Sequence, residues 1–469
     1  MTVNFDNSYA RLPDAFHVKM PPKPVAAPSW LVWNEELAAQ LGLSDWGKDD
    51  ATLAFLAGNV SAEGSEPLAA AYAGQQFGNW SPQLGDGRAL LLGEVLNDAG
   101  ERFDIQLKGS GPTPFSRGGD GRAWLGPVLR EYLVSEFMAA CGVPTTRALA
   151  AVATGERVIR EAVLPGAVLT RVARSHLRVG TAQYFAIRGD KDNLELLVDY
   201  AIGRLYPDLA ESERPALALL QRVMEKQAAL VAQWMGLGFI HGVMNTDNVA
   251  LSGETIDYGP CAFMDDFQNA KVFSSIDHRG RYAYGGQPSV AHWNIVQFAQ
   301  ALLPLIDPDQ EKAVELAQEV VNGFSTLYAV EHKRMANAKL GLRTDNEDGP
   351  QLLADMLTAM QEADSDFTNS FVALEKERFD DLPAGDWQAA LRDAWDKQDG
   401  PSFGPANPMT IPRNHRIEEA IAAALEGDLK PFETLKQALA TPFKVLPEHV
   451  HLMQRPTAGE VVAQTFCGT

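Results

Sequence analysis

Residues 241–259 read His-Gly-Val-Met-Asn-Thr-Asp-Asn-Val-Ala-Leu-Ser-Gly-Glu-Thr-Ile-Asp-Tyr-Gly, and this stretch decides how the rest of the chain is interpreted. Ser252-Gly253 at its centre is a two-residue turn signal between two apolar runs, so the stretch predicts a β-hairpin. In that hairpin Asn248 faces Asp257. Directly opposed residues have Cβ atoms about 4.5–5.5 Å apart on the same face, so one amide oxygen and one carboxylate are expected to converge.

The converging side chains of Asn248 and Asp257 favour a divalent metal site. Mg²⁺ prefers oxygen ligands, retains waters and is usually completed by substrate phosphates rather than by a full protein cage. Asp247 precedes the predicted strand and is a candidate proton acceptor near the same point. Asn and Asp beside a turn also commonly cap it, so a purely structural role stays open.

Two spacings in this stretch resemble those of protein kinases. Asp-Tyr-Gly at 257–259 resembles the Asp-Phe-Gly metal motif, and the offset from His241 to Asn248 equals that of the kinase catalytic loop His-Arg-Asp-x-x-x-x-Asn. The catalytic Asp of that loop is replaced by Val243, which cannot accept a proton. The protein is therefore either catalytically dead, or Asp247 is its base.

Upstream, two strands are predicted around the turn cluster at 97–100. The strands cover residues 89–96 and 102–108. Alternation puts Lys108 on the face opposite Phe103, Ile105 and Leu107, which is the side expected to point away from the core. The first eighty or so residues alternate Pro-rich loops with short helical stretches and are interpreted as an extension that wraps the core.

A glycine-rich stretch at 109–121 leads into a predicted helix that carries Glu131. Pro127 lies near the first turn of this helix and Gly142 lies just past its end. Strand lysine, helix glutamate, catalytic loop and metal aspartate then follow one another in the order that kinases use. Further helices are predicted over about 216–235 and through most of the acidic chain beyond Pro288.

The composition is that of an acidic globular protein. The chain has 469 residues, about three times the common domain size, so one very large domain or two to three lobes are expected. Its 61 acidic and 40 basic residues give a net charge of −21, which repels polyanions and argues against a nucleic-acid partner. Any phosphate ligand must therefore meet a local basic pocket.

Targeting and metal motifs of the common kinds are not found in the sequence. The first twenty residues lack a charged region followed by an apolar core, and no run of about 18 apolar residues occurs. Cys141, Cys261 and Cys467 are too few and too scattered for a disulfide framework or a CxxC zinc site. We therefore expect a cytoplasmic protein that has no membrane partner.

Seven sequence blocks between about Asn79 and His415 resemble one known family. The blocks read Phe-Asp-Ile-Gln-Leu-Lys-Gly-Ser-Gly-Pro-Thr-Pro-Phe-Ser-Arg, Gly-Asp-Gly-Arg, Arg-Glu-Tyr-Leu, Ser-His-Leu-Arg-Val-Gly-Thr, His-Gly-Val-Met-Asn-Thr-Asp-Asn, Ile-Asp-Tyr-Gly-Pro and Asn-Pro-Met-x-Ile-Pro-Arg-Asn-His. They are similar to those of selenoprotein O, whose Cys-Gly-Thr end is also present at 467–469. Such long, ordered motifs make the resemblance specific.

The resemblance implies an α+β, protein-kinase-like fold of two lobes. The implied divisions are an N-terminal extension wrapping the core at 1–84, an N-lobe at 85–172, a C-lobe at 173–410 and a C-terminal extension at 411–469 that ends in the Cys467 tail. It also implies transfer of AMP from ATP to Ser, Thr or Tyr hydroxyls of proteins. The resemblance further implies that ATP lies in a flipped orientation, that pyrophosphate leaves and that Mg²⁺ or Mn²⁺ is the cofactor.

The resemblance also carries site residues onto this chain. The implied nucleotide contacts are Gly85, Gly87, Arg88, Lys108, Asp120, Gly121, Arg171, Arg178 and Asp257. Asn248 and Asp257 are the implied metal ligands, Asp247 the proton acceptor and Glu131 the partner of Lys108. Some family members carry selenocysteine where this chain has Cys467.

Chemistry supports these assignments without deciding them. A Gly-x-Gly before a strand lets backbone approach a ligand but also forms ordinary turns. Arg171 and Arg178 lie in a local basic cluster whose forks suit phosphate oxygens, and Arg174 fits equally well on charge alone. Three rival functions stay open: transfer of the γ-phosphate, which Val243 argues against, UMP transfer from UTP, and a non-catalytic ATP-binding scaffold.

Overall fold

The computed structural model describes residues 4–466, which form an α+β fold built on one large antiparallel sheet. The strands are β1 His17–Lys19, β2 Ser29–Trp33, β3 Leu68–Ala70, β4 Gly74–Gln76, β5 Asn79–Ser81, β6 Ala89–Leu96, β7 Arg102–Lys108, β8 Ala123–Trp124, β9 Arg147–Ile159, β10 Val163–Ala173, β11 Phe239–Ile240 and β12 Ala262–Phe263. The helices are α1 Glu35–Gln40, α2 Asp50–Leu56, α3 Leu125–Ala140, α4 Val179–Ala186, α5 Lys191–Leu205, α6 Pro215–Gly236, α7 Gln287–Ile306, α8 Gln310–Asn322, α9 Phe324–Lys339, α10 Gly349–Glu362, α11 Phe367–Glu375, α12 Asp386–Lys397, α13 Asn414–Leu425 and α14 Lys430–Leu439.

The main sheet has the strand order β1-β3-β6-β7-β10-β9-β2, and β8 pairs with β10 beside this path. The pair β6–β7 confirms the predicted strands around the 97–100 turn, with Ala89 opposite Lys108. Strand β10 lies on the other side of β7 and places Arg171 opposite Gln106. The sheet thus brings the side chains of three strands to one place.

The N-terminal segment supplies strands to both ends of this sheet. Strand β1 pairs with β3, β3 continues to β6, and β2 pairs with β9 at the far end. Strands β4 and β5 form a separate two-stranded hairpin. The predicted division at residue 84 stays a prediction, but the residues before it complete the sheet.

Strand β7 alternates as predicted, although both of its faces are buried. Ile105 and Leu107 pack on the apolar side with residues of α1 and α2. Lys108, on the other face, is only 8% exposed. The expectation that this face points away from a core was therefore wrong, because helix α3 and the segments around Asp257 cover it.

Helix α3 confirms the predicted element that carries Glu131. Pro127 stands in its first turn, and Gly142 follows its end with φ of 75°. The helix packs on β9 and β10. Its fully buried Phe137 ring lies 5.2 Å from the Phe263 ring, so it also joins the sheet to the helical part of the molecule. Burying such a ring stabilises the fold by about 1.5–3 kcal/mol.

The remainder of the chain is mostly helical, as the sequence predicts. Helix α6 packs on α7 and α9, and the last two helices, α13 and α14, pack back onto α3. Within residues 4–466, no helix has the length and apolar character needed to cross a bilayer.

The predicted hairpin around Ser252-Gly253 does not form. Thr246–Asn248 is a 3₁₀ turn, and the two arms pair with other segments rather than with each other. Ala250 bridges to Arg178, and Thr255 bridges to Thr145. Long-range backbone partners have thus replaced the local pairing that the turn signal predicted.

Candidate active site

A cleft of about 610 Å³ lies between the sheet and the helical part of the molecule. Segments 84–89 and 115–122 line one side, and segments 243–248 and 257–260 line the other. Ten residues carried over from the family line it: Gly85, Gly87, Arg88, Lys108, Asp120, Gly121, Arg171, Asp247, Asn248 and Asp257. The remaining two, Glu131 and Arg178, lie behind this lining and contact it.

Lys108 lies between two carboxylates at the inner end of the cleft. Its Nζ donates to Oε2 of Glu131 and to Oδ1 of Asp257, each at 2.6 Å. Glu131 also accepts from Arg171 Nη1 at 3.3 Å, so two buried cations share the carboxylates of Glu131 and Asp257. Strand β7, helix α3 and the 257–260 segment meet through this one ammonium group.

Two arginines complete the positive side of the cleft. Arg171 donates through Nη1 to Asp257 Oδ1 at 2.7 Å, and its Nη2 donates to Gln106 Oε1 at 2.6 Å. Arg178 caps α4, lies 4.3 Å above the Tyr72 ring and donates through Nη1 to the backbone carbonyl of Asp247 at 3.0 Å. The two side chains are therefore fixed before any ligand arrives.

The Asp257 carboxylate is kept charged by its neighbours. Burial would raise the pKa of its carboxyl, but Lys108, Arg171 and Arg178 hold that pKa well below the usual range. The backbone of Asp257 has φ of 65°, in the left-handed region that non-glycine residues rarely occupy. Strain of this kind persists where the surrounding structure imposes it and is common at functional sites.

His241 fixes the backbone that leads to Asp257. Its Nε2 lies 2.9 Å from the Ile256 carbonyl, and its Nδ1 accepts from the Val243 N–H at 3.3 Å. Burial lowers the pKa of this histidine. A neutral ring with its proton on Nε2 satisfies both contacts. His241 therefore links the backbone at Val243 to the backbone at Ile256.

Asp247 is a buried carboxylate with one oxygen held and one free. Oδ2 accepts from the Gln76 amide at 3.3 Å, whereas Oδ1 is buried and has no hydrogen-bond partner among residues 4–466. Burial raises the pKa of Asp247 to about 6, partly opposed by Arg178 and Gln76. A carboxylate with a free oxygen and a raised pKa has the properties of a general base.

Asn248 and Asp257 line the same cleft, although not through the predicted hairpin. Asn248 donates through Nδ2 to the Val243 carbonyl at 3.0 Å. Its amide oxygen therefore stays available as a ligand for a cation. Asp257 offers Oδ2, because Oδ1 already accepts from Lys108 and Arg171. One amide oxygen and one carboxylate oxygen form a hard donor set that fits Mg²⁺ or Mn²⁺ when phosphates and waters complete the shell.

Comparison with known proteins places the chain in a family. A sequence model described as "Protein adenylyltransferase SelO" matches residues 1–394. The chain is also 56% identical over 480 residues to "Protein nucleotidyltransferase YdiU" of Jannaschia sp. (strain CCS1), covering 99% of both chains. The protein of that name from Agrobacterium fabrum (strain C58) is 52% identical over 486 residues and covers 100% of both.

The chain belongs to the SelO family. This confirms the resemblance seen in the seven sequence blocks, and with it the enzyme class, a protein nucleotidyltransferase. The SelO match begins at residue 1 and so includes the N-terminal segment that completes the sheet.

Packing inside the protein requires two of the three glycines that the SelO resemblance carries over. A Cβ on Gly85 would lie 2.3 Å from the Phe115 ring, and one on Gly121 would lie 2.0 Å from the Gly111 carbonyl oxygen. Both glycines also have positive φ. Packing thus requires glycine at both positions, and the expected approach of the backbone to a ligand stays a prediction.

The other two loop residues differ in how far their charges are already satisfied. Asp120 holds Arg160 through two hydrogen bonds of 2.8 and 2.9 Å and accepts from the Arg122 N–H, so its carboxylate is engaged within the protein. Arg88 makes no ion pair among residues 4–466, and its buried Nη1 has no partner there. In a protein of net charge −21, an unpaired guanidinium in the cleft favours an anionic ligand.

Sequence reasoning missed Gln76 and Gln106, which hold the side chains of Asp247 and Arg171. Gln106 could have been predicted, because it precedes Lys108 by two residues and lies on the same face of the strand. Gln76 had no local signal, since it contacts a residue 171 positions away. Cys467 lies outside the described residues, and Cys261 is buried with a free thiol whose pKa is raised by burial.

Proposed function

We propose that the cleft binds ATP and transfers AMP from it to Ser, Thr or Tyr hydroxyls of proteins. One observation carries the proposal: Asp247, with a free carboxylate oxygen, shares a cleft with Lys108 and Asp257, while Val243 occupies the position of the kinase base. The proton acceptor is therefore Asp247, which lies at a different position from the catalytic base of a kinase. SelO family membership supports transfer of a nucleotidyl group over transfer of phosphate.

Our proposal includes a kinase-like arrangement of two lobes. The sheet strands β6, β7, β9 and β10 with helix α3 form the N-lobe at 85–172, and α4 to α12 fall in the C-lobe at 173–410. The supporting observation is the chain order of Lys108, Glu131, Asp247 and Asp257, all of which meet at one cleft. Residues 1–84 and 411–469 are proposed as extensions to this body.

The proposed step is an in-line displacement at the α-phosphorus. The acceptor oxygen forms a bond to the α-phosphorus, and the bond from that phosphorus to the oxygen bridging it to the β-phosphorus breaks. Pyrophosphate leaves with the electron pair, and the hydroxyl proton passes to Asp247. A positioned general base of this kind contributes about 10²–10⁴ in rate.

The cations of the cleft are proposed to balance the triphosphate charge. Lys108 and Arg171 are already oriented by Glu131, Gln106 and Asp257, so they need no reorganisation when charge develops. Arg88 has no carboxylate partner among the described residues and is available to a phosphate. Fixed charges aimed at a developing anion supply much of the rate in phosphorus chemistry.

Asn248 and Asp257 are the residues that would hold Mg²⁺ or Mn²⁺. When bound, the cation would neutralise phosphate charge that the protein's own cations leave uncompensated. Within residues 4–466 there is no group of three or more His, Cys, Asp or Glu side chains suited to a metal. The two-ligand donor set is consistent with a cation that arrives with the nucleotide.

Isotope position tests the proposed function. The full chain is incubated with an acceptor protein and ATP labelled at either the α or the γ position. We expect α label alone to enter protein, and Asp247→Ala to slow its entry about 10²–10⁴-fold. Incorporation of γ label would support a kinase instead, and equal incorporation from α-labelled UTP would extend the donor to uridine nucleotides.

A further inference from the structure

The hairpin β4–β5 lies directly on the segment that contains Asp247. The Gln75 N–H donates to Thr246 Oγ1 at 2.7 Å, and the Phe77 N–H donates to Asn245 Oδ1 at 2.9 Å. These contacts join parts of the chain about 170 residues apart, so they belong to the tertiary fold rather than to a local turn. The backbone of the hairpin is therefore in register with the backbone beside Asp247.

We propose that Gln76 is a positioning residue that holds the Asp247 carboxylate facing the acceptor hydroxyl. This inference rests on the proposed function of Asp247 as proton acceptor. Gln76 lies between the two backbone contacts of the hairpin and donates through Nε2 to Oδ2 of Asp247. Oδ1 has no hydrogen-bond partner in the part of the chain that the structure describes, and both side chains line the cleft.

The hairpin also limits the directions in which the carboxylate can turn. Gly74 comes so close that a Cβ there would lie 2.5 Å from Asp247 Oδ1. On the other side, a Cβ on Gly180 would lie 3.5 Å from Asp247 Cα. Asp247 therefore lies between β4 and the first turn of α4, and Gln76 fixes the rotation that remains about its side-chain bonds.

The hairpin is rigid enough to impose this orientation. The Gln75 side chain donates to Gln297 of α7 at 2.7 Å. The Phe77 ring packs at 5.2 Å on Tyr282, whose hydroxyl donates to Asn245 at 2.6 Å. A catalytic group must be held within about 0.5 Å of its productive position, and a donor on an anchored strand meets that requirement better than one on a loose loop.

Loss of the Gln76 donor is expected to slow transfer without weakening nucleotide binding. Without its amide the carboxylate can rotate, and small misplacements of a reacting group cost up to about 10²-fold in rate. Gln76→Ala should therefore lower kcat about tenfold and leave KM for ATP near its original value. Gln76→Glu keeps the size of the side chain but replaces the donor, so it should be no more active than Gln76→Ala.

A double-mutant cycle separates this role from simple packing. Transfer of α label is measured in the full chain for the wild type, Gln76→Ala, Gln76→Glu, Asp247→Ala and the double variant Gln76→Ala with Asp247→Ala. Because Gln76 acts through Asp247, its loss should have no further effect once Asp247 is gone. Asn79→Ala, an exposed residue opposite Gln76 in the same hairpin, is the matched control and should transfer normally. Thermal unfolding verifies that each variant is folded. If Gln76→Ala does not fold, Gln76→Asn, which shortens the side chain but keeps the amide, takes its place.

The outcomes distinguish this inference from the function on which it rests. The positioning role would be overturned if the double variant lost rate by the product of the two single losses. A normal rate for Gln76→Glu or a rise in KM for ATP would overturn it as well. A wild type that transfers no α label to any protein would overturn the proposed function and the inference together. Activity that is lost in Asp247→Ala but retained in Gln76→Ala would overturn the inference alone.

Discussion

At the scale of single residues, charge pairing decides what each carboxylate of the cleft can do. Asp257 contacts Lys108 and Arg171, and its pKa is held well below the usual range, so it stays an anion that can bind a cation. Within residues 4–466 no cation pairs directly with the Asp247 carboxylate, and burial raises its pKa to about 6, so it can take up a proton near neutral pH. Two aspartates ten positions apart thus acquire opposite roles from their surroundings.

The first residue-scale prediction concerns Asp247. We expect Asp247→Asn to lower the rate of AMP transfer about 10²–10⁴-fold, because the amide cannot accept the hydroxyl proton. Nucleotide affinity should change little, since Lys108, Arg171 and Asp257 are untouched. Transfer of α label together with calorimetric titration of ATP and Mg²⁺ measures both quantities. A full rate in Asp247→Asn would show that another group accepts the proton.

The second residue-scale prediction concerns Lys108. Lys108→Ala removes a preorganised cation and should lower the rate about 10²–10³-fold. It also removes the shorter of the two ion pairs of buried Glu131, which keeps only Arg171 at 3.3 Å, so the melting temperature should fall. Glu131→Gln, which keeps the shape but not the charge, should cause a smaller loss of rate. Equal losses in rate from the two variants, measured by α-label transfer, would contradict a direct role for Lys108 in the reaction.

At the scale of elements, the sequence predicted those whose signals are local. Pro127 and Gly142 delimit α3, and alternation delimits β7, because capping and side-chain periodicity depend on neighbours in the chain. The prediction of a hairpin at 252–253 was wrong, because the pairing of its two arms depends on residues far away in the chain. Ala250 and Thr255 find better backbone partners at Arg178 and Thr145, which the local pattern cannot indicate.

The glycine-rich loop gives an element-scale prediction. Gly121→Ala should destabilise the loop through backbone strain of about 1–3 kcal/mol and through collision with the Gly111 carbonyl. Because this loop lines the cleft, affinity for ATP should fall as well. Gly118→Ala is the control, since Gly118 has φ of 86° but open space at the Cβ position. Calorimetric titration should show a loss of affinity for Gly121→Ala only, and equal losses in both variants would assign the effect to strain alone.

Lys339 at the end of α9 gives a prediction for pH dependence. It is 3% exposed, its Nζ contacts Asn407 at 2.9 Å and lies 3.8 Å from the Phe371 ring centre, and burial lowers its pKa to about 7. Between pH 7 and the ordinary lysine pKa, the unfolded chain binds this proton and the folded chain does not. Stability therefore rises with pH in that window, by at most about 1.4 kcal/mol per pH unit.

Lys339→Met removes this titration and should flatten the pH dependence. The variant should be more stable than the wild type at pH 7, and the difference should shrink towards pH 9. Urea unfolding at several pH values measures the free energy of each protein, with Cys141 and Glu375 as the other ionisable groups near Lys339. Parallel curves for the two proteins would show that Lys339 keeps its proton in the fold.

At the scale of the whole molecule, the cleft is assembled from segments that lie far apart in the sequence. The N-terminal segment provides strands at both ends of the sheet and the hairpin over Asp247, none of which has a strong local pattern. The proposed site residues were nevertheless named from the sequence, because their types and order along the chain resemble a family, and the structure brings most of them to one cleft. Their supports, such as Gln76, became visible only when the fold placed them beside those residues.

The most direct test of the account is a crystal structure of the full chain with a non-hydrolysable ATP analogue and Mn²⁺. The account predicts the metal between Asn248 and Asp257 and the α-phosphorus as the phosphorus nearest the free oxygen of Asp247. A γ-phosphorus at that position, or a metal bound away from both ligands, would contradict it.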